Sequence, residues 1–158
     1  MKIGTYVGLL AVAVAIFAFG RTTAEKRSAP TPKTMESLMT ATHGEAFAYA
    51  KYMLFAQHAR ENGHPELADL FERTAKTERF EHFAEEAKLA GIVGSDEDNL
   101  RDAIKGESYE VETMYRDFAQ QALAAGDKEA AERFGEVRHD EMGHRDAFKA
   151  ALAKLERP

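Results

Sequence analysis

Residues 134–148 read FGEVRHDEMGHRDAF. The core of this stretch, HDEMGH, is one residue longer than HExxH, the spacing that lets two histidines on one helix grip a zinc ion. Four residues along a helix separate side chains by about 40°. His139 and His144 are five apart, which separates them by about 140°. They cannot hold one ion from a single helix. The pair that does share a face is Glu141 and His144, a Glu-x-x-His at i and i+3. Such a pair is one quarter of a dinuclear carboxylate site, provided that three other helices bring further carboxylates to the same depth.

Helical spacing identifies those carboxylates. In the fourth predicted helix, Phe134, Val137, Glu141, His144, Phe148, Ala151 and Leu155 alternate three and four apart, the period of a core-facing stripe. The same ruler on the first predicted helix gives Leu38, Thr42, Glu45, Tyr49, Tyr52 and Ala56; on the third it gives Leu100, Ile104, Glu107, Val111, then Met114 or Tyr115, and Phe118. The second helix admits two phases. One runs Phe71, Thr74, Glu78, Glu81, Glu85, Lys88, the other Phe71, Ala75, Glu78, His82, Glu85, Leu89. Both keep Glu78. A single Glu on such a stripe reads as a partly solvated edge residue. One on each of four helices is costly unless cations neutralise the group, the carboxyls protonate or they face water. Tyr52 and Tyr115 read as core aromatics whose hydroxyls bond nearby carboxylates. His43, His58, His64 and His139 read as surface or helix-end residues.

The elements that must carry these side chains are four helices. They are predicted over Met35–Glu61 behind a Thr34 cap, Pro65–Leu89 ending at Gly91, Glu97–Ala124 ending at Gly126, and from an Asp127 cap to Leu155. The stretch GIVGSDEDN links the second and third, and RSAPTPKT, residues 27–34, is an extended linker before the first. The chain also repeats itself. Phe55/Phe118, Gly63/Gly126, Phe71/Phe134 and Glu78/Glu141 are each 63 apart, but Glu45/Glu107 are 62 apart. An extra residue therefore lies between Glu107 and Phe118, and a π turn would absorb it. Two copied helix pairs predict an all-α, four-helix bundle with pseudo-two-fold symmetry.

The segments GEAFAYAKY, ERFEHF, AIKGESYEVETMY and DEMGH carry a resemblance. Residues from about 36 to 156 resemble the diiron domain of rubrerythrin, in the ferritin-like superfamily. The resemblance implies a ferritin-like bundle with a crossover between helices 2 and 3. It implies two Fe ions as cofactor, with Mn admitted by the same oxygen and imidazole donors. Carried over residue by residue, Glu78 and Glu141 would bridge the metals. Glu45 would be terminal on one, with Glu110 beside it, and Glu107 and His144 would complete the other. Tyr52 and Tyr115 match tyrosines that hydrogen-bond ligating carboxylates. One position departs: the first copy reads Glu78-Arg-Phe-Glu81, so the repeat register puts Glu81 where the family has histidine, with His82 as its competitor. Glu81 is the expectation that follows the register.

The implied activity is reduction of hydrogen peroxide. Oxidation of Fe(II) with O₂ or peroxide is the alternative, and a tethered structural bundle without turnover is a third reading. The family usually draws electrons from a Cys-bound iron centre of the rubredoxin type. This sequence has no Cys, so it holds neither a rubredoxin centre nor a disulfide, and the resemblance implies an external electron donor. A homodimer is also among its implied partners. The net charge of −6 argues against nucleic acid. Residues 1–24 hold an uncharged run from Ile3 to Gly20 after Lys2. This reads as a signal peptide with an exported, periplasmic product, or as a membrane anchor through residues 3–20, whose bundle could then lie on the cytoplasmic side. Residues 25–34 then form the linker and 35–158 the bundle.

Overall fold

The computed structural model describes residues 29–157. The expected signal or anchor over residues 1–24 lies outside them. Among the described residues no helix is long and apolar enough to cross a membrane.

Four long helices account for nearly all of the described chain. Helix α1 is Pro32–Glu61. It begins three residues before the expected Met35, because Thr31 rather than Thr34 is the cap: its side chain accepts from the Thr34 N–H. Pro32 fits the first helical position, where no N–H is needed. Helix α2 runs from Pro65 to Ala90, as Pro65–Thr77, a π turn at Glu78–His82, and Phe83–Ala90. Helix α3 runs from Asp96 to Ala125, as Asp96–Tyr109, a π turn at Glu110–Met114, and Tyr115–Ala125. Ser95 caps it by accepting from the Asp98 N–H. Helix α4 is Lys128–Leu155. The π turn expected between Glu107 and Phe118 is thus present; the one in α2 was not foreseen.

The helices pair into two hairpins, α1 with α2 and α3 with α4. Small residues let each pair approach closely. Ala56, Ala59, Ala68 and Ala75 are buried in the first hairpin, and Ala122 and Ala131 in the second. Ala59/Ala122 and Ala68/Ala131 are again 63 apart. An aromatic trio seals each hairpin beside these alanines. Tyr52, Phe55 and Phe71 have ring centroids 5.4–6.2 Å apart. Their repeat mates Tyr115, Phe118 and Phe134 lie 5.6–6.3 Å apart. These separations suit edge and offset ring contacts.

The α3 π turn has a specific partner. Arg138 of α4 donates from Nε to the Val111 carbonyl at 2.7 Å, and Val111 is itself buried. Arg60 on α1 pairs with Glu72 and with Asp69 on α2, and Arg101 on α3 with Glu156 beyond α4, all near the surface. Helix α2 ends on Gly91 at φ 66°, a left-handed position that favours glycine.

Candidate metal centre

The predicted stripes are buried or half-buried at most positions. Leu38, Thr42, Glu45, Tyr49, Tyr52 and Ala56 are so, as are Leu100, Ile104, Glu107, Val111, Met114 and Tyr115, whereas Phe118 is exposed. On α4, Phe134, Val137, Glu141 and Phe148 are half-buried, His144 is exposed, and Leu152 takes the inward place expected of Ala151 and Leu155.

Two clusters of donor atoms lie on these faces. Glu45, Glu78 and His82 form one, and Glu107, Glu141 and His144 the other; within each, one donor atom per residue lies within 4.8 Å of the others. In the first, His82 Nδ1 donates to Glu78 Oε2 at 2.8 Å and stands 3.8 Å from Glu45 Oε2. In the second, His144 Nδ1 donates to Glu141 Oε2 at 2.6 Å. The two clusters repeat each other in composition and in hydrogen bonding.

The geometry sets His82 rather than Glu81 beside Glu45 and Glu78. Glu81 is exposed and is not among the converging donors. The cause is the π turn at Glu78–His82. In an α-helix, residue i+3 lies about 60° to one side of residue i. In a π turn of roughly 4.4 residues, i+4 lies about 30° to that same side, while i+3 swings out by about 115°. His82 therefore reaches the position that His144 reaches from an ordinary helical turn.

The same shift carries α2 past its predicted stripe. Beyond the π turn, Glu86 and Ala87 face inward instead of Glu85 and Leu89. Glu86 was not anticipated. Its Oε2 is buried without a hydrogen-bond partner, and its charge helps to raise the pKa of Glu45. Only recognition of the second π turn would have brought it out. Glu110 opens the α3 π turn, half-buried. It is not part of the trio, but its charge raises the pKa of both Glu107 and Tyr115.

Electrostatics at the clusters are those of crowded carboxylates. Glu45 is pushed above the ordinary carboxyl range, first by a hydrogen bond with the Glu78 carboxyl, then by burial. Burial first, then a hydrogen bond with Glu141, does the same to Glu107. The hydrogen bonds to Glu78 and Glu141 raise His82 and His144. Burial, then the charges of Glu110 and Glu141, raises the Tyr115 hydroxyl. Without a cation these carboxyls must share protons.

The donor set fits two metal ions. Each cluster offers two carboxylates and one imidazole, ligands suited to Fe(II) or Mn(II). Glu107 Oε2 is buried with no hydrogen-bond partner, an unmet need that a cation answers. Tyr52 packs against Phe55 and Phe71, and Tyr115 stands near Glu107, Glu110 and Glu141. His43, His58, His64 and His139 are exposed and join neither cluster.

A four-helix protein with Glu–Glu–His trios on repeated helix pairs belongs to the class of ferritin-like carboxylate diiron proteins. The Rubrerythrin family model matches residues 36–152, and the chain belongs to the rubrerythrin family, whose cofactor is a pair of irons. A rubrerythrin from Porphyromonas gingivalis is 36% identical over 136 residues, covering 78% of this chain and 68% of that one. Nigerythrin from Nitratidesulfovibrio vulgaris is 33% identical over 138 residues, covering 79% and 68%. A solved structure of fully reduced, all-ferrous nigerythrin is 30% identical, covers all of this chain and 82% of its own, and aligns with a TM-score of 0.41.

Proposed function

We propose that the protein is a non-haem diiron oxidoreductase that reduces hydrogen peroxide with electrons from an external donor. The observation that carries this reading is the pair of matched Glu–Glu–His trios, Glu45/Glu78/His82 and Glu107/Glu141/His144, in a chain of the rubrerythrin family. Two bound irons supply the two electrons that cleavage of a peroxide O–O bond takes.

The side chains have the other roles. Glu78 and Glu141, largely buried and each hydrogen-bonded to the histidine of its trio, are suited to lie between the metals. Glu45 and Glu107 are suited to terminal positions, with Glu110 beside the pair. Binding metal at His82 and His144 displaces the proton each now gives to its carboxylate. Tyr115, held protonated by burial and the surrounding carboxylates, keeps an O–H to donate to a ligating oxygen. Reduction of one peroxide to two waters consumes two protons, and carboxyls with raised pKa are placed to relay them.

The presence of His82 weakens the iron-oxidising alternative. A carboxylate at that position would have made the shell more negative and favoured the ferric state. An imidazole makes the two trios equal in charge. The test is the full chain loaded with Fe(II). Catalytic loss of peroxide with an added reductant is expected. One stoichiometric oxidation followed by iron accumulation would indicate a ferroxidase. A folded protein that neither binds iron nor turns over would leave only the structural reading.

A further inference from the structure

Two departures from the 63-residue repeat fall in the same hairpin. The first is the extra residue of α3, which takes the form of the π turn Glu110–Met114. Helix α1, the repeat mate of α3, is α-helical throughout. The second departure is Arg138 of α4. Its mate 63 residues earlier is Ala75 of α2, which is fully buried. The helix with an extra residue is thus paired with a helix that brings an arginine. The helix without one is paired with a helix that brings an alanine.

The hydrogen-bond ladder explains why the two go together. In an α-helix the Val111 carbonyl would accept from the Tyr115 N–H, four residues on. Here that N–H goes to the Glu110 carbonyl, five residues back. Val111 is 3% exposed, so solvent does not serve its carbonyl, and a buried carbonyl without a donor is costly. Arg138 supplies the donor from Nε, at 2.7 Å. The π turn of α2 orphans the Arg79 carbonyl in the same way, because the Phe83 N–H goes to the Glu78 carbonyl. Arg79 is exposed, and solvent can meet that need.

Glu110 and Tyr115 are what the α3 turn places. Five residues along an α-helix separate two side chains by about 140°. Across a π turn of roughly 4.4 residues they lie about 50° apart. Glu110 and Tyr115 therefore share a face, and the Glu110 charge raises both Glu107 and the Tyr115 hydroxyl. Without the π turn, the two halves of α3 would rotate against each other by about 100°, the angle of one residue, and Glu110 and Tyr115 would part. Arg138 is not among the charges that bear most on Glu107 or Tyr115. Its hydrogen bond goes to the backbone, not to a carboxylate.

We infer that Arg138 is a positioning residue of the metal centre: through the Val111 carbonyl it locks the α3 π turn and so holds Glu110, with Tyr115, beside Glu107 and Glu141. The centre is then built unevenly. A side chain of α4 clamps the π turn in the half made by α3 and α4, while the π turn in the half made by α1 and α2 stands on its own ladder. The effect on the metals rests on the diiron reading; the clamp itself does not.

Two variants of the full chain separate the hydrogen bond from the charge and bulk of the arginine. Arg138→Gln sets an amide N–H as many bonds from the backbone as the arginine Nε–H, without the charge. Arg138→Met has a similar length and no donor. In metal-free protein, the amides of residues 110–115 are expected to exchange about tenfold faster than wild type in Arg138→Met, and at the wild-type rate in Arg138→Gln. After loading with Fe(II), Arg138→Met is expected to show a higher reduction potential and an altered optical spectrum, because a displaced Glu110 leaves a less negative shell. Arg138→Gln is expected to keep both. In a Glu110→Gln background, Arg138→Met should add no further shift. Wild-type potential and spectrum in Arg138→Met, even with faster exchange, would overturn the positioning role. So would an Arg138→Gln variant that behaves like Arg138→Met, or a shift that is equal with and without the Glu110 carboxylate. If wild type binds no iron, the diiron reading falls, and the exchange rates alone decide the clamp: wild-type rates in Arg138→Met would defeat it, and fast rates in Arg138→Met with wild-type rates in Arg138→Gln would uphold it.

Discussion

At the scale of residues, the choice between Glu81 and His82 shows how far spacing reaches. Six of the expected ligands, Glu45, Glu78, Glu107, Glu110, Glu141 and His144, follow from stripes with the α-helical period together with the family resemblance. The six donors that converge include all of these but Glu110, with His82 as the newcomer. His82 was ambiguous because an α-helical ruler places Glu81 and His82 on opposite sides of Glu78, each within reach. We expect His82→Ala to lower iron content strongly and Glu81→Ala to leave it near wild type, measured by elemental analysis after loading. The reverse ranking would reinstate the repeat register. The raised carboxyls also set a pH dependence for the metal-free protein. Glu45 and Glu107 lie above their ordinary 4.5, and His82 and His144 above 6.5. All four hold protons in the folded state that the unfolded chain has released. Their stabilisation is complete below the ordinary values and is lost as pH rises through the raised ones. Metal-free protein should therefore melt at a progressively lower temperature as pH rises above 4.5, where the carboxyls begin to contribute, and above 6.5, where the imidazoles do. The double variant Glu45→Gln, Glu107→Gln should show a shallower slope just above 4.5; an equal slope there would remove the carboxyls as its source.

At the scale of elements, helix ends and existence were legible to within a few residues, because Thr, Ser, Pro and Gly stand where caps and stops require them. The π turn in α3 was legible too, because the 62-residue spacing of Glu45 and Glu107 breaks a register of 63. The π turn in α2 left an equivalent mark. His82 and His144 are also 62 apart, but that mark is visible only once His82, rather than Glu81, is taken as the counterpart of His144. A π turn strains the hydrogen-bond ladder, so a partner that holds it has a measurable effect. Arg138 is that partner in α3, through its bond to the Val111 carbonyl. Arg138→Met keeps much of the aliphatic volume and removes the donor. We expect it to destabilise the metal-free protein by about 1–2 kcal/mol, read as a lower denaturant midpoint. Amides of residues 110–115 should exchange faster. An unchanged midpoint together with unchanged exchange would show that the π turn is held by its surroundings alone.

At the scale of the whole molecule, the repeat said which faces match, because the first hairpin answers the second in its alanines, its aromatic trio and its donor trio. The connection was less legible, because it depends on where α2 stops and α3 starts. GIVGSDEDN reads as a nine-residue linker; the structure gives its last four residues to α3, which leaves Gly91–Ser95 between the helices. Stability should then depend on metal. Clustered carboxylates repel one another, and a ligand specific to the native state stabilises it by mass action. At free metal one hundred times its dissociation constant the gain is about 2.7 kcal/mol per site. Fe(II) should therefore raise the melting temperature of the full chain and a chelator should lower it again, read by scanning fluorimetry. A melting temperature that ignores iron would mean that the trios hold no metal in the native state.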